Sequence, residues 1–377
     1  MNITASILNY IDTHADEAEN LLIELAQIPA PSNHEELRAE FCAKWLKKQG
    51  AKGVYIDDAQ NVIYPIGCES AREIAVFMAH SDVVFPDTTP LPLSVIDGKI
   101  YCPGVGDDTA NVVALLMAAK FIAQNHLIPR EKGVLLVINS GEEGLGNLKG
   151  SRKILNDFGS KTTEFITFDA SVKQIINRAV GSCRYRIEVT TEGGHSYNKF
   201  GNPNAIAELA AIIDELYQIQ VPQMGKTTYN VGTISGGTSV NTIAQQASML
   251  YEYRSDAKEA METMETAFRK IVNQHQSDRV NISVSPIGHR PCSGNVDEER
   301  LKALMLRGAK AVNDHFGYNV TYGSGSTDCN IPLSLGIPAI CVGCAEGEGA
   351  HTRGEYISIN SLRPGLGVAL QLILHHF

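Results

Sequence analysis

The sequence predicts an α/β chain built on a mainly parallel sheet, with a smaller α+β insertion. Two observations carry this. Through the first half, short and wholly apolar runs alternate with helix-length patterns, as strands joined by crossover helices do. From about Val180 the runs instead alternate apolar with polar, as half-exposed strands do, and after Pro291 the earlier character returns.

In chain order, Ser32-Asn-His-Glu35 has the form of a capping box and opens an amphipathic helix that ends at Gly50. Residues 73–79 form an apolar run too short for a helix and read as a buried strand. Residues 111–125 read as a helix, and 133–138 and 164–168 as two more buried strands. Within the middle segment, 183–190 alternates, and a helix runs from Pro203 to about Tyr217 with Asn202 as its cap. Strands at 228–234 and 247–253, a charged helix over about 256–274 and a strand at 280–286 follow. This β-α-β-β-α-β order predicts a ferredoxin-like sandwich with one open sheet face. A helix from about Val296, a strand near Ile340 and a last helix from Leu362 complete the larger domain. The expected domains are residues 1–179 with 291–377, and an inserted domain over 180–290.

Composition narrows the function. At roughly 150 residues per domain, 377 residues allow two or three domains. Lys+Arg 32 against Asp+Glu 42 leaves a net charge of −10, and no basic run offsets it, which disfavours nucleic acid as a partner. The most apolar stretch, 112–123, is short and carries Lys120, so no membrane span is expected. The first twelve residues lack the basic and apolar regions of a signal peptide. Eight scattered cysteines suit reduced thiols, and together these features predict a cytoplasmic protein. Cys341-Val-Gly-Cys344 stands alone after a strand-like run, so it reads as small buried residues rather than a zinc site.

Polar residues gather where the buried runs end. His80-Ser-Asp82 follows one, Glu142-Glu143 another and Asp169 a third, while Gly104-Val-Gly-Asp107-Asp108 precedes a helix. Ligands of open parallel sheets bind outside the carboxyl ends of the strands, so these tips would converge on one site. His, Asp and Glu are the donors of a hydrolytic divalent-metal site. So many carboxylates in one place would repel one another without a cation.

These segments resemble the di-zinc peptidase and deacylase family that includes carboxypeptidase G, peptidase T, aminoacylase and succinyl-diaminopimelate desuccinylase. The resemblance covers nearly the whole chain. It rests on His80-Ser-Asp82, Gly104–Asp108, Glu142-Glu143, Asp169, Gly194-His195-Ser196, Asn241, Arg254, Ser326-Thr-Asp328 and Gly349-Ala-His351. It implies a zinc-exopeptidase-like catalytic domain and an inserted domain that dimerises. It also implies two divalent metals, most simply zinc, with cobalt or manganese as alternatives. Asp107 would bridge both, His80 and Asp169 would complete one, and Glu143 and His351 the other. Asp82 would accept a hydrogen bond from His80. Glu142 would be the general base toward a metal-bridged water, and the Asp107–Asp108 peptide would be cis.

Three further residues lie in the inserted domain. His195 alone reads as a surface histidine beside a Gly-Gly turn, whereas the resemblance makes it a group that reaches the partner subunit's site to stabilise an oxyanion. Asn241 and Arg254 would hold substrate carboxylate or backbone, although Arg254 reads equally well as an ion pair with Asp256 or Glu252. The chain departs from many relatives in having Thr109-Ala110 after the Asp-Asp pair, where little catalytic effect is expected. Asp rather than Glu at 169 accompanies aminopeptidase or di/tripeptidase activity in the family. The expectation is a dimeric exopeptidase, most similar in type to peptidase T-like enzymes, acting on small peptides. An N-acyl-amino-acid deacylase using the same site is the alternative.

Overall fold

The computed structural model describes residues 3–377. The chain divides into two compact units, residues 1–179 with 294–377, and residues 180–293. Along the chain, the first unit supplies β1 (Tyr55–Ile56), β2 (Val62–Ile66), β3 (Ile74–His80), β4 (Gly133–Asn139), β5 (Thr162–Thr167) and β6 (Gln174–Ala179). The second supplies β7 (Gly181–Thr191), β8 (Thr227–Gly236), β9 (Gln246–Ser255) and β10 (Val280–Arg290). The first unit then resumes with β11 (Thr321–Gly325) and β12 (Ala339–Cys341).

In the first unit these strands make one sheet in the order β1-β2-β4-β3-β5-β12-β6-β11. Its centre is parallel: β3 pairs β4 and β5, and β5 pairs β12, all in one direction. Every residue of β3 and β4 is buried, as expected of strands covered on both faces. Alternate side chains serve opposite layers. Ala75, Phe77 and Ala79 pack into one apolar cluster, beneath helices Ala110–Gln124 and Leu362–Ile373, while Ile74, Val76 and Met78 pack into another. Among the described residues no helix is long and apolar enough to cross a membrane. Cys341 and Cys344 are buried and unpaired by disulfide, at and just beyond the end of β12.

The second unit is an antiparallel sheet in the order β8-β9-β7-β10. Tyr185, Ile187 and Val189 of β7 face helices Ala205–Tyr217 and Lys258–His275 and share their apolar cluster.

Two helix starts differ from expectation. The helix expected after Ser32 spans Glu36–Lys48 without a side-chain cap. Ser32 instead donates to Asp82 Oδ2 at 2.7 Å. Glu35, wholly buried, accepts from the Gly141 N–H at 2.9 Å and from Lys149 Nζ at 2.8 Å. Tertiary partners have taken both members of the box. In the second unit the cap is Asn204, whose side chain accepts from Ile206 N and Ala207 N, while Asn202 donates to the Gly193 carbonyl.

Candidate metal centre

The carboxyl ends of β3, β4 and β5 supply His80, Glu142-Glu143 and Asp169. His80 is buried, and its backbone N–H donates to Asp108 Oδ2 at 2.8 Å. Its Nδ1 lies 3.0 Å from the Asp82 carbonyl oxygen and 3.5 Å from the Asp82 carboxylate. A carbonyl can only accept, so Nδ1 is the donor of that bond. The nearer partner is thus backbone rather than the expected carboxylate. The Asp82 carboxylate instead accepts the N–H groups of Glu142 at 3.0 Å and Glu143 at 2.9 Å, besides the Ser32 hydroxyl. One buried anion thereby sets the backbone that carries both glutamates.

Asp107 joins two imidazoles. Its Oδ1 lies 3.1 Å from His80 Nε2, and its Oδ2 3.0 Å from His351 Nε2. That His351 nitrogen is also 2.9 Å from Glu143 Oε1. Possible ligand atoms of His80, Asp107 and Glu143 all lie within 4.8 Å of one another, and so do those of His80, Asp108 and Asp169. The peptide between Asp107 and Asp108 is cis. His351 holds φ of 64°, a left-handed conformation uncommon for non-glycine residues.

Electrostatics follow from this crowding. Burial pushes the Asp107 carboxyl up, but hydrogen bonds to His351 and His80 outweigh it and hold the group well below the usual range. Burial, then the charge of Asp107, lifts Asp169 to about 7. Hydrogen bonds to Asp107 and Glu143 raise His351 to about 10. Burial would lower His80, yet Asp108, Asp107 and Asp82 together raise it well above its ordinary value. Asp107, Asp108, Glu143 and Asp169 thus crowd carboxyl oxygens around two imidazoles. An all-oxygen and nitrogen donor set of this kind fits divalent ions such as zinc, manganese or cobalt.

The support beneath these side chains escaped sequence reasoning. Arg38 is 1% exposed on its helix, where it interrupts the apolar stripe of Ala39, Cys42 and Leu46. It donates to the Ser81 carbonyl at 2.9 Å, to Thr109 Oγ1 at 3.1 Å and to the Ile28 carbonyl at 2.8 Å. Thr109 also donates to the Gly104 carbonyl, so it serves as a brace. Asp328 is buried, is raised chiefly by burial, and accepts from Asn139 Nδ2 at 2.7 Å beside His80 in the sheet register. Glu355 accepts three backbone N–H groups of the Asp107 loop. Its only sequence signal is a carboxylate four residues after His351. A cleft of about 270 Å³ opens beside Asp107, lined by Ser171, Lys173, Glu346, Glu348 and Tyr356 among others.

His195, Asn241 and Arg254 lie in the second unit. His195 is exposed and pairs with Thr242 in a two-residue ladder, next to Asn241, whose carbonyl accepts the Ser196 N–H at 3.0 Å. The His195 Nδ1 accepts the N–H of Tyr197 at 3.2 Å, so the neutral ring carries its proton on Nε2. Arg254 grips Glu252 through Nε at 3.0 Å and Nη2 at 3.1 Å, one of the two ion pairs its sequence allowed.

The profile of peptidase family M20/M25/M40 matches residues 76–375. An acetylornithine deacetylase of Myxococcus xanthus is 23% identical over 326 residues, which cover 82% of this chain and 82% of that protein. Among solved structures, a tripeptidase of Staphylococcus aureus superposes with a TM-score of 0.75 at 22% identity, covering 95% of this chain and 97% of its own. The YXEP protein of Bacillus subtilis, described as a dinuclear metal binding peptidase, superposes with a TM-score of 0.65 at 17% identity, covering 97% and 99%.

Proposed function

The chain belongs to peptidase family M20/M25/M40, and on that premise we propose that it is a di-metal exopeptidase that hydrolyses an amide bond in small peptides. One observation carries the reading: Asp107 lies between the imidazoles of His80 and His351, with Glu143 on the same His351 nitrogen. His80, Asp107 and Asp169 would hold one divalent ion, and Asp107, Glu143 and His351 the other, zinc being the simplest choice. Such a pair supplies Lewis acidity toward the scissile carbonyl and acidifies water.

The chain's own residues do the rest. Glu142 is the general base: it takes a proton from the attacking water and passes it to the departing amine. Its burial and the hold of Asp82 on its backbone keep it in place while that proton moves. His195, with its proton on Nε2, is the donor to the developing oxyanion. Because that residue lies in the second unit, we assign this unit to dimerisation, each His195 serving the partner subunit's site. Asn241 and Arg254 bind the substrate's carboxylate or backbone, with Glu252 fixing the guanidinium. Asp169, rather than Glu, favours substrates with a free N-terminus.

The named activity of the Myxococcus relative keeps one second reading in play, hydrolysis of N-acyl amino acids at the same site. A panel of di- and tripeptides against N-acetyl and N-succinyl amino acids, run with defined metals, separates the two. Peptide hydrolysis that stops on chelation and returns with added metal is expected. Exclusive cleavage of acylated substrates, or full activity after exhaustive chelation, would overturn the proposal. Glu142→Gln should keep its metal and lose about 10²–10⁴-fold in kcat; unchanged turnover would remove the base assignment.

A further inference from the structure

Glu355 is 2% exposed, yet no basic group is needed to explain its burial. Its Oε2 accepts the N–H of Gly104 at 2.7 Å, and its Oε1 accepts those of Gly106 and Asp107, each at 2.8 Å. Three converging backbone N–H groups form the kind of concavity that elsewhere binds a free anion. Here the chain supplies that anion itself, from about 250 residues further along.

The loop is shaped for this carboxylate. Gly104 has φ of +76°, and a Cβ there would meet Val83 Cγ1 at 2.3 Å. A Cβ on Gly106 would meet Glu355 Oε1 at 3.1 Å. Backbone adds a further tie, for the Cys102 N–H donates to the Glu355 carbonyl at 3.1 Å. On the other side, the Glu355 N–H bonds back to the Thr352 carbonyl at 3.3 Å, and Thr352 N bonds to the Gly349 carbonyl at 2.9 Å, so His351 sits within a closed turn joined to Glu355. The strand Tyr356–Ser358 then pairs with Lys99–Tyr101, just before the loop.

Two segments, the Asp107 loop and the His351 turn, thus meet at one buried residue, the loop through its carboxylate and the turn through its main chain. We infer that Glu355 is a positioning residue that sets the Asp107–His351 spacing before any ion arrives, and that it acts mainly on the ion held by Asp107, Glu143 and His351. This rests on the di-metal reading above. The ion at His80, Asp107 and Asp169 depends on the clamp through Asp107 alone. The other depends on it through both Asp107 and His351.

Titration of the metal-free protein with Co²⁺, followed by visible absorption and by competition with a chelator, tests the assignment without measuring turnover. Glu355→Gln keeps the shape but offers one oxygen and one NH₂, so at least one backbone N–H loses its acceptor. Glu355→Ala strips all three. The ion held by Asp107, Glu143 and His351 should lose about 10–100-fold in affinity in the Gln variant, with the other changing less than about 3-fold and the far-ultraviolet dichroism unchanged. The Ala variant, if folded, should be worse in the same order. A Gln variant that binds both ions as the wild type does, or loses both equally, would overturn the inference. A wild-type protein that takes up only one ion would instead refute the di-metal reading.

Discussion

Replacing Asp82 by Asn is the most direct test of how the backbone of Glu142 and Glu143 is held. The carboxylate receives Glu142 N on Oδ1 and both Glu143 N and Ser32 Oγ on Oδ2. An Asn side chain has one oxygen. If it keeps Glu143 and Ser32, its NH₂ faces the Glu142 N–H, and that buried donor is left without an acceptor. Hydrogen bonds to charged groups contribute about 1.5–3 kcal/mol, and an abandoned buried donor costs about 1–3 kcal/mol. These overlap rather than add, so the metal-free variant should lose about 2–3 kcal/mol in urea unfolding. Metal affinity should fall about 10–100-fold, because the lost charge also lies 3.5 Å from His80 Nδ1. Ser32→Ala is the control: it removes one donor to the carboxylate, should cost about 1.5–3 kcal/mol, and should leave metal affinity alone. Equal stability and equal metal binding in wild type and Asp82→Asn would refute the reasoning, whatever happened to turnover.

Two other outcomes follow from the same physics. Burial pushes Glu164 up, but His376 and then Arg307 outweigh it and hold the carboxyl at about 2 against an ordinary 4.5. A depressed carboxyl stabilises the fold above its unfolded pKa and loses that contribution as pH falls toward 2, here about 3 kcal/mol in all. Glu164→Gln should therefore flatten the stability profile between about pH 4.5 and pH 2 in urea titrations, and parallel profiles would count against the ion cluster. On the proposed dimer, His195→Ala and Glu142→Gln homodimers should each be weakly active. Mixing and refolding them should restore up to about a quarter of wild-type activity, since only one composite site per heterodimer is intact; no recovery would exclude shared sites.

The centre of the fold was legible because β3 and β4 bury all seven of their residues, a pattern no exposed strand or surface helix produces. The sheet's far edge was not. Gln174–Ala179 and Thr321–Gly325 are short and partly polar, and pairing within the sheet rather than composition makes them strands. Ser32 and Asn202 show the same limit at helix ends. Each has the chemistry of a cap, and each is taken by a partner the local sequence does not contain. Local propensity names a capable side chain, and tertiary contact decides which capable side chain is used.

The site divides along the same line. The meeting of His80, Glu143 and Asp169 was legible because a strand end is visible in sequence and the ends of neighbouring parallel strands converge. Their holders work through main chain: Asp82 on Glu142 and Glu143, Glu355 on the Asp107 loop, Arg38 on the Ser81 carbonyl. A backbone N–H or carbonyl leaves no mark on residue type, so nothing in the one-letter string distinguishes a segment that will be gripped from one that will not. What does leave a mark is a charge placed where an apolar residue belongs, and Arg38 among Ala39, Cys42 and Leu46 is such a charge. Burying it drives its guanidinium down to about 10, a penalty that an apolar side chain would avoid. The main-chain oxygens it binds lie at Ser81, between His80 and Asp82, and at Ile28. That cost is therefore borne at the floor of the metal centre, where a misplaced backbone would move the ligands themselves.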